Sequence, residues 1–182
     1  MRLNYPNLNE KSVVFDGGGY EGQWASDIYS KYNCNVLVFE PVKKFAENIR
    51  RRFTKNKKIK VYELALSNIT KTATISNEDD ASSLHNMGKE KIQLKSIPEF
   101  MGENKIKKIH LLKLNVEGEE YNILNNVIST GFIRKVEQIQ VQFHKNIKNY
   151  REEYLKIKEK LDRTHKLNWR FPFVWENWKK YD

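Results

Sequence analysis

Four side chains stand where chemistry is easiest to build. Asp16, Glu40, Glu117 and His144 each lie at or just past the end of an apolar run. Such runs read as buried strands, and in a parallel sheet their carboxyl ends meet along one edge, where ligands bind. His144 closes "VEQIQVQFH" and titrates near neutrality, so it could take the proton of a hydroxyl, or serve only as a strand-end histidine. Glu117, in "NVEGEE", could orient that histidine, bind acceptor hydroxyls or place a charge at the start of the next helix. His85, in "SSLH", could reach the same edge from a polar excursion, whereas His110 and His165 read as structural. No Cys/His cluster or HxxxH spacing suggests zinc, and no metal is expected.

Asp16 leads into the glycines of "VVFDGGGYEG", where Gly17 to Gly22 spell G-x-G-x-x-G, the form of a dinucleotide turn. A glycine turn from strand into helix lets backbone N–H groups approach a ligand closely. The acids decide which ligand. A pyrophosphate would meet Asp16 and Glu21, and two like charges about 4 Å apart repel by roughly 4 kcal/mol at an effective dielectric of 20. S-adenosylmethionine carries a sulfonium and an ammonium and no phosphate, so the same acids attract it. Glu40, about 20 residues beyond the glycines, stands where a carboxylate accepts from both ribose hydroxyls, a role common to nucleosides of either kind.

The elements that must position these groups alternate. Residues 12–16 form a first strand, a helix follows over 21–32, and "NVLVFE" (35–40) is a second strand closed by Glu40-Pro41. Phe45, Ile49 and Phe53 give residues 42–54 an apolar helical stripe, and "KIKVYELAL" (58–66) is a third strand. This order predicts a parallel sheet with right-handed crossovers. Segment 70–96 reads as short polar strands or a loop excursion. Residues 107–116 and 136–144 are the fourth and fifth strands, with a helix between them ended by Gly131 and another over about 148–163. Trp169, Phe171, Phe173 and Trp175 alternate as one edge strand or a hairpin would. The whole chain, 1–182, reads as one domain.

In order along the chain stand "VVFDGGGYEGQW", "VLVFEPVKKFAENI", "ELALSN", "ASSL", "HLLKLNVEGEEYNIL" and "IQVQFH". Together they resemble the FkbM-type methyltransferases, a family that uses S-adenosylmethionine on a Rossmann-like class I fold. The resemblance spans about residues 12–144 and implies a mostly parallel sheet flanked by helices, with an antiparallel edge strand or hairpin at the C-terminus. It places Asp16, Gly17, Gly18, Gly19 and Gly22 around the methionine end of the cofactor. Glu40 and Pro41 fall at the ribose and Ala65, Leu66 and Ser67 near the adenine, and Asn115, at the end of the fourth strand, counts among the cofactor-binding residues. It implies O-methylation of a hydroxyl on a sugar, a glycan or a hydroxylated small metabolite, with His144 and Glu117 on the acceptor side. Two positions depart from the family pattern. Asn115 stands where it has Asp, and Gln142 where an acid often precedes the histidine. An amide oxygen accepts a hydrogen bond but neither neutralises a cation nor acts as a base.

Composition narrows the alternatives. Charged residues at 31% and a mean hydropathy of −0.76 describe a water-soluble protein, and 39% apolar residues still supply a core. No run spans a membrane, the opening residues lack the apolar stretch of a secretory signal, and lone Cys34 reads as a reduced thiol, so a cytoplasmic protein is expected. The net charge of +10 comes mostly from Lys and reads as a solvated face, which does not favour nucleic acid as the partner. Two other readings remain: a degenerate cofactor-binding domain serving as a partner module, with Asn115 and Gln142 as its support, or a nucleic-acid methyltransferase, which here would lack the N/D-P-P-Y/F tetrapeptide used on base amino groups. Little sequence precedes the first strand, so the acceptor cleft is expected to be open, or completed by a second subunit in a homodimer.

Overall fold

The computed structural model describes residues 2–75 and 90–182. The central strands are β1 (Val13–Gly17), β2 (Asn35–Phe39), β3 (Ile59–Tyr62), β7 (Leu111–Leu114), β8 (Gln138–Val141), β9 (His165–Phe171) and β10 (Trp175–Lys180). They form one sheet in the order β3-β2-β1-β7-β8-β10-β9, parallel from β3 to β8, with β10 antiparallel to both its neighbours. Every residue of β7 and β8 is buried, as expected of strands covered on both faces.

Helices α1 (Gln23–Tyr32) and α2 (Lys43–Arg52) cover one face, where Ala25, Ile28 and Ile49 pack with Tyr5 and Leu8 on Val14, Val36 and Val38. The other face carries α3 (Ile97–Glu103), α4 (Glu120–Ser129) and α5 (Tyr150–Leu161), whose apolar sides close over Phe15, Phe39, Leu112 and Ile139. A small second sheet, β4-β6-β5, is made of β4 (Ala65–Ser67), β5 (Lys71–Ile75) and β6 (Glu90–Ser96).

One sequence expectation changes here, one element is added and one open choice is resolved. The single third strand over 58–66 is two strands, and β4 leaves the central sheet to run parallel to β6. Pairing of β2 with β3 ends at Phe39 and Tyr62, with Glu40 N–H donating to Tyr62 O. The next N–H on that side, Val42, donates to Glu40 Oε1 at 3.0 Å instead, so a longer third strand would find no donor there. Residues 97–103, not read as an element, form α3. Its signal is the Ser96-x-x-Glu99 capping pattern, in which Ser96 Oγ accepts from Glu99 N–H at 3.4 Å with a proline in the first turn. The aromatic tail, left open between one strand and two, is a hairpin that turns at Pro172–Val174.

Candidate functional site

The glycine turn sits at the carboxyl end of β1. Gly18 has φ +80°, and a Cβ there would lie 2.0 Å from Asn115 O; one on Gly19 would lie 2.3 Å from Val38 Cγ1. No side chain fits either place, so the backbone itself lines this end of the sheet. Both N–H groups donate to Phe39 O, at 3.0 and 3.3 Å, which ties the turn to the end of β2.

Glu40 joins from that strand end and is nearly buried at 5% exposure. Its Oε2 accepts from Tyr20 N–H at 2.8 Å and its Oε1 from Val42 N–H at 3.0 Å. Burial pushes the carboxyl above its ordinary value, against the pull of these two donors. Each oxygen keeps a further lone pair. Pro41 is half-buried beside it, whereas Glu21 is exposed at the start of α1.

Sequence reasoning missed the residue that organises this half. Lys113, within β7, reaches under the turn, and its Nζ donates to Asp16 Oδ1 at 2.7 Å, Gly18 O at 2.8 Å and Gly17 O at 3.2 Å. Asp16 is fully buried, and burial holds its carboxyl above the ordinary value even against the Lys113 ammonium. The charge of Asp16 is therefore answered from within the protein, and the electrostatic reading of the turn applies to an ion pair and not to a lone acid. A lysine inside an otherwise apolar "LLKL" was the available signal, because a buried cation needs a buried anion, and the register sets Lys113 opposite Asp16.

Ala65, Leu66 and Ser67 lie in β4. Leu66 is buried within 3.3 Å of where a Cβ on Gly17 would be, and Ser67 Oγ donates to Glu119 Oε1 at 2.6 Å. Glu119 also accepts from Asn122 Nδ2 at 3.0 Å, so the "LSN" and "VEGEE" segments are joined through one carboxylate. Asn115 follows β7, with its N–H on Gly17 O at 3.0 Å. Asp16 Oδ2 and Asn115 Oδ1 are both buried with no hydrogen-bond partner among the described residues.

The second half of the site lies one and two strands further along, after β7 and β8. Glu117 adopts φ 50°, which costs a side chain about 1–2 kcal/mol, and its carbonyl accepts from Asn146 Nδ2 at 3.0 Å. His144 lies between two acids. Its Nε2 is 3.3 Å from Glu117 Oε1 and its Nδ1 is 3.2 Å from Glu120 Oε1. Burial by itself would lower the imidazole, but the hydrogen bonds and charges of Glu117 and Glu120 outweigh it and raise His144 to about 9. Glu117, hydrogen-bonded to that imidazole, is held below the usual carboxylate value. At neutral pH the pair is an imidazolium and a carboxylate.

The remaining histidines divide. His110 Nδ1 accepts from Val13 N–H at 3.0 Å, and His165 is fully buried with Nε2–H donating to Val136 O at 3.0 Å. His85 and the "ASSL" segment lie outside the described residues. No group of three or more His, Cys, Asp or Glu among the described residues could hold a metal ion. No helix among them is long and apolar enough to cross a membrane.

A seven-stranded sheet with one reversed strand near its edge, a glycine turn after the first strand and an acid after the second define a class I, Rossmann-like methyltransferase fold. The structural neighbours agree. An rRNA-methylase structure from Clostridium thermocellum matches with a TM-score of 0.60 at 11% identity, over 96% of this chain and 89% of its own. The Methanococcus jannaschii fibrillarin pre-rRNA processing protein gives 0.59 at 11% identity, over 98% and 70%. M. capricolum TrmK, solved with S-adenosyl-homocysteine, gives 0.55 at 10%, over 96% and 64%. At such identities the likeness is one of fold.

The family comes from the sequence: residues 16–169 match the methyltransferase FkbM domain, and the chain belongs to that family. No curated protein matches it in sequence. S-adenosylmethionine is the cofactor of this methyltransferase, and the residues at the turn fit it. Asp16 Oδ2 and Asn115 Oδ1 are two buried acceptors in want of a donor, beside a turn with no room for a side chain, which suits an ammonium-bearing amino acid.

Proposed function

We propose that this protein is an O-methyltransferase whose acceptor is a hydroxyl of a sugar, a glycan or a hydroxylated small metabolite. The observation that carries the reading is the Glu117–His144 pair, two titratable side chains 3.3 Å apart on adjacent loops at the carboxyl edge of the sheet. The cofactor supplies an electrophilic methyl group. Asp16, Gly17, Gly18, Gly19, Gly22 and Asn115 hold its amino-acid end. Glu40 offers its free lone pairs to the ribose with Pro41 beside it, and Ala65, Leu66 and Ser67 line the adenine. Glu117 keeps 33% of its side chain exposed, against 13% for His144, so the carboxylate is the group an acceptor hydroxyl reaches first. Glu117 and His144 would hold the acceptor hydroxyl and take up its proton as it is methylated, with the exposed Glu117 carboxylate as the first contact.

Transfer of a labelled methyl group to a panel of sugars and hydroxylated metabolites tests this. His144→Ala and Glu117→Gln should each lower turnover about a hundredfold while S-adenosylhomocysteine still binds. Full turnover in both variants would remove the pair from the chemistry.

A second reading, RNA as the acceptor, draws on the net charge of +10 and on the rRNA methylases among the structural neighbours. Transfer to total RNA and none to the panel would favour it. No transfer to either would leave a cofactor-binding partner module.

A further inference from the structure

We infer that Glu120 is a positioning residue, a buried carboxylate that fixes the ring of His144 by its Nδ1 edge and so turns Nε2 toward Glu117 and the acceptor. The inference rests on the proposed role of the Glu117–His144 pair.

Glu120 is fully buried in the first turn of α4. Its two oxygens are held by backbone before they meet any side chain. Oε2 accepts from Gly118 N–H at 2.9 Å, and Oε1 accepts from His144 N–H at 2.7 Å. A carboxylate pinned by two amides cannot rotate, so the oxygen 3.2 Å from Nδ1 presents a fixed acceptor to the ring. That contact requires a proton on Nδ1, which leaves Nε2 as the edge that exchanges protons with Glu117. The peptide of His144 is held as well, because Tyr121 Oη donates to its carbonyl at 2.8 Å. The acids thus divide the work: Glu120 is inaccessible and orients, whereas Glu117 is one-third exposed and meets the acceptor.

Among the described residues the charged groups around the ring are few. Glu117 comes from the loop after β7, and Glu120 and Tyr121 from α4. Lys145, next in the chain, directs its ammonium over the Phe173 ring at 5.1 Å. Behind Tyr121 stand Tyr150 and Tyr154 of α5 and Glu176 of β10.

Nitrogen-detected NMR of the His144 imidazole, on the whole protein with S-adenosylhomocysteine present, tests the inference without a known acceptor. In the native protein and in Glu117→Gln, neutral His144 should keep its proton on Nδ1. In Glu120→Gln that preference should be lost and the titration midpoint should fall by about one pH unit or more. Cofactor-product affinity should stay within about twofold. A native ring protonated on Nε2 when neutral overturns the inference, and this reading does not depend on whether Glu120→Gln folds. A Glu120→Gln protein that melts earlier with an unchanged His144 titration also overturns it, since that marks a structural role alone. Full turnover in both His144→Ala and Glu117→Gln would defeat the proposed role of the pair and leave the NMR result untouched, so the two failures are distinguishable.

Discussion

The two halves of the site are held by different means. Under the glycine turn one ammonium, Lys113, gathers a carboxylate and two carbonyls, and the ligand-facing surface is backbone. At the proposed acceptor edge the arrangement is inverted: one imidazole lies between two carboxylates, and the surface offered outward is a side chain. A backbone surface suits a ligand of constant shape. A side-chain surface can change its charge and be exchanged for another without disturbing the sheet.

If that contrast is right, the deepest damage should come from the cofactor half. Lys113→Met leaves Asp16 buried without its cation, and the fold should lose about 3–5 kcal/mol in denaturant unfolding. Adding Asp16→Asn to that variant should restore much of the loss, because a buried ion pair removed whole costs far less than one removed by half. A smaller effect is expected at the turn. Gly18→Ala forces a methyl group against Asn115 O and should cost about 1–3 kcal/mol, with cofactor-product binding by calorimetry weakened at least about tenfold.

The acceptor half should show itself through pH. His144 is raised from an ordinary 6.5 to about 9, so its pairing stabilises the fold fully below 6.5 and the contribution is lost as pH rises through 9. Melting temperature should therefore decline between these values, and His144→Ala should flatten the slope. A slope that survives in the variant would assign it to another group. The smallest change belongs to neither half. Arg50→Ala breaks an exposed 2.9 Å pair with Glu63 and should alter stability by less than about 1 kcal/mol.

How legible the molecule was depended on where each residue's partner came from. β1, β2, β7 and β8 stand out because strands buried on both faces are written as apolar runs. Glu40, Glu117 and His144 stand out because a polar residue ending such a run must sit at the sheet edge. Lys113 and Glu120 did not, since each takes its meaning from a partner 97 or 24 residues away. The departure of β4 from the main sheet was hidden for a similar reason: it depends on the Val42 N–H being taken by Glu40 and on β6 nearly 30 residues later. The Ser96-x-x-Glu99 cap of α3 was local and readable.

The strand order has one more effect. Among the described residues an open sheet leaves two unpaired margins, here β3 and β9, and unpaired backbone is a template on which another chain can build. Lys60 on β3 and Lys166 and Arg170 on β9 are all exposed, so each margin is guarded by positive charge. Like charges brought together when two such margins meet oppose their pairing. The lysine excess on which the RNA reading also draws thus sets like charge along both margins.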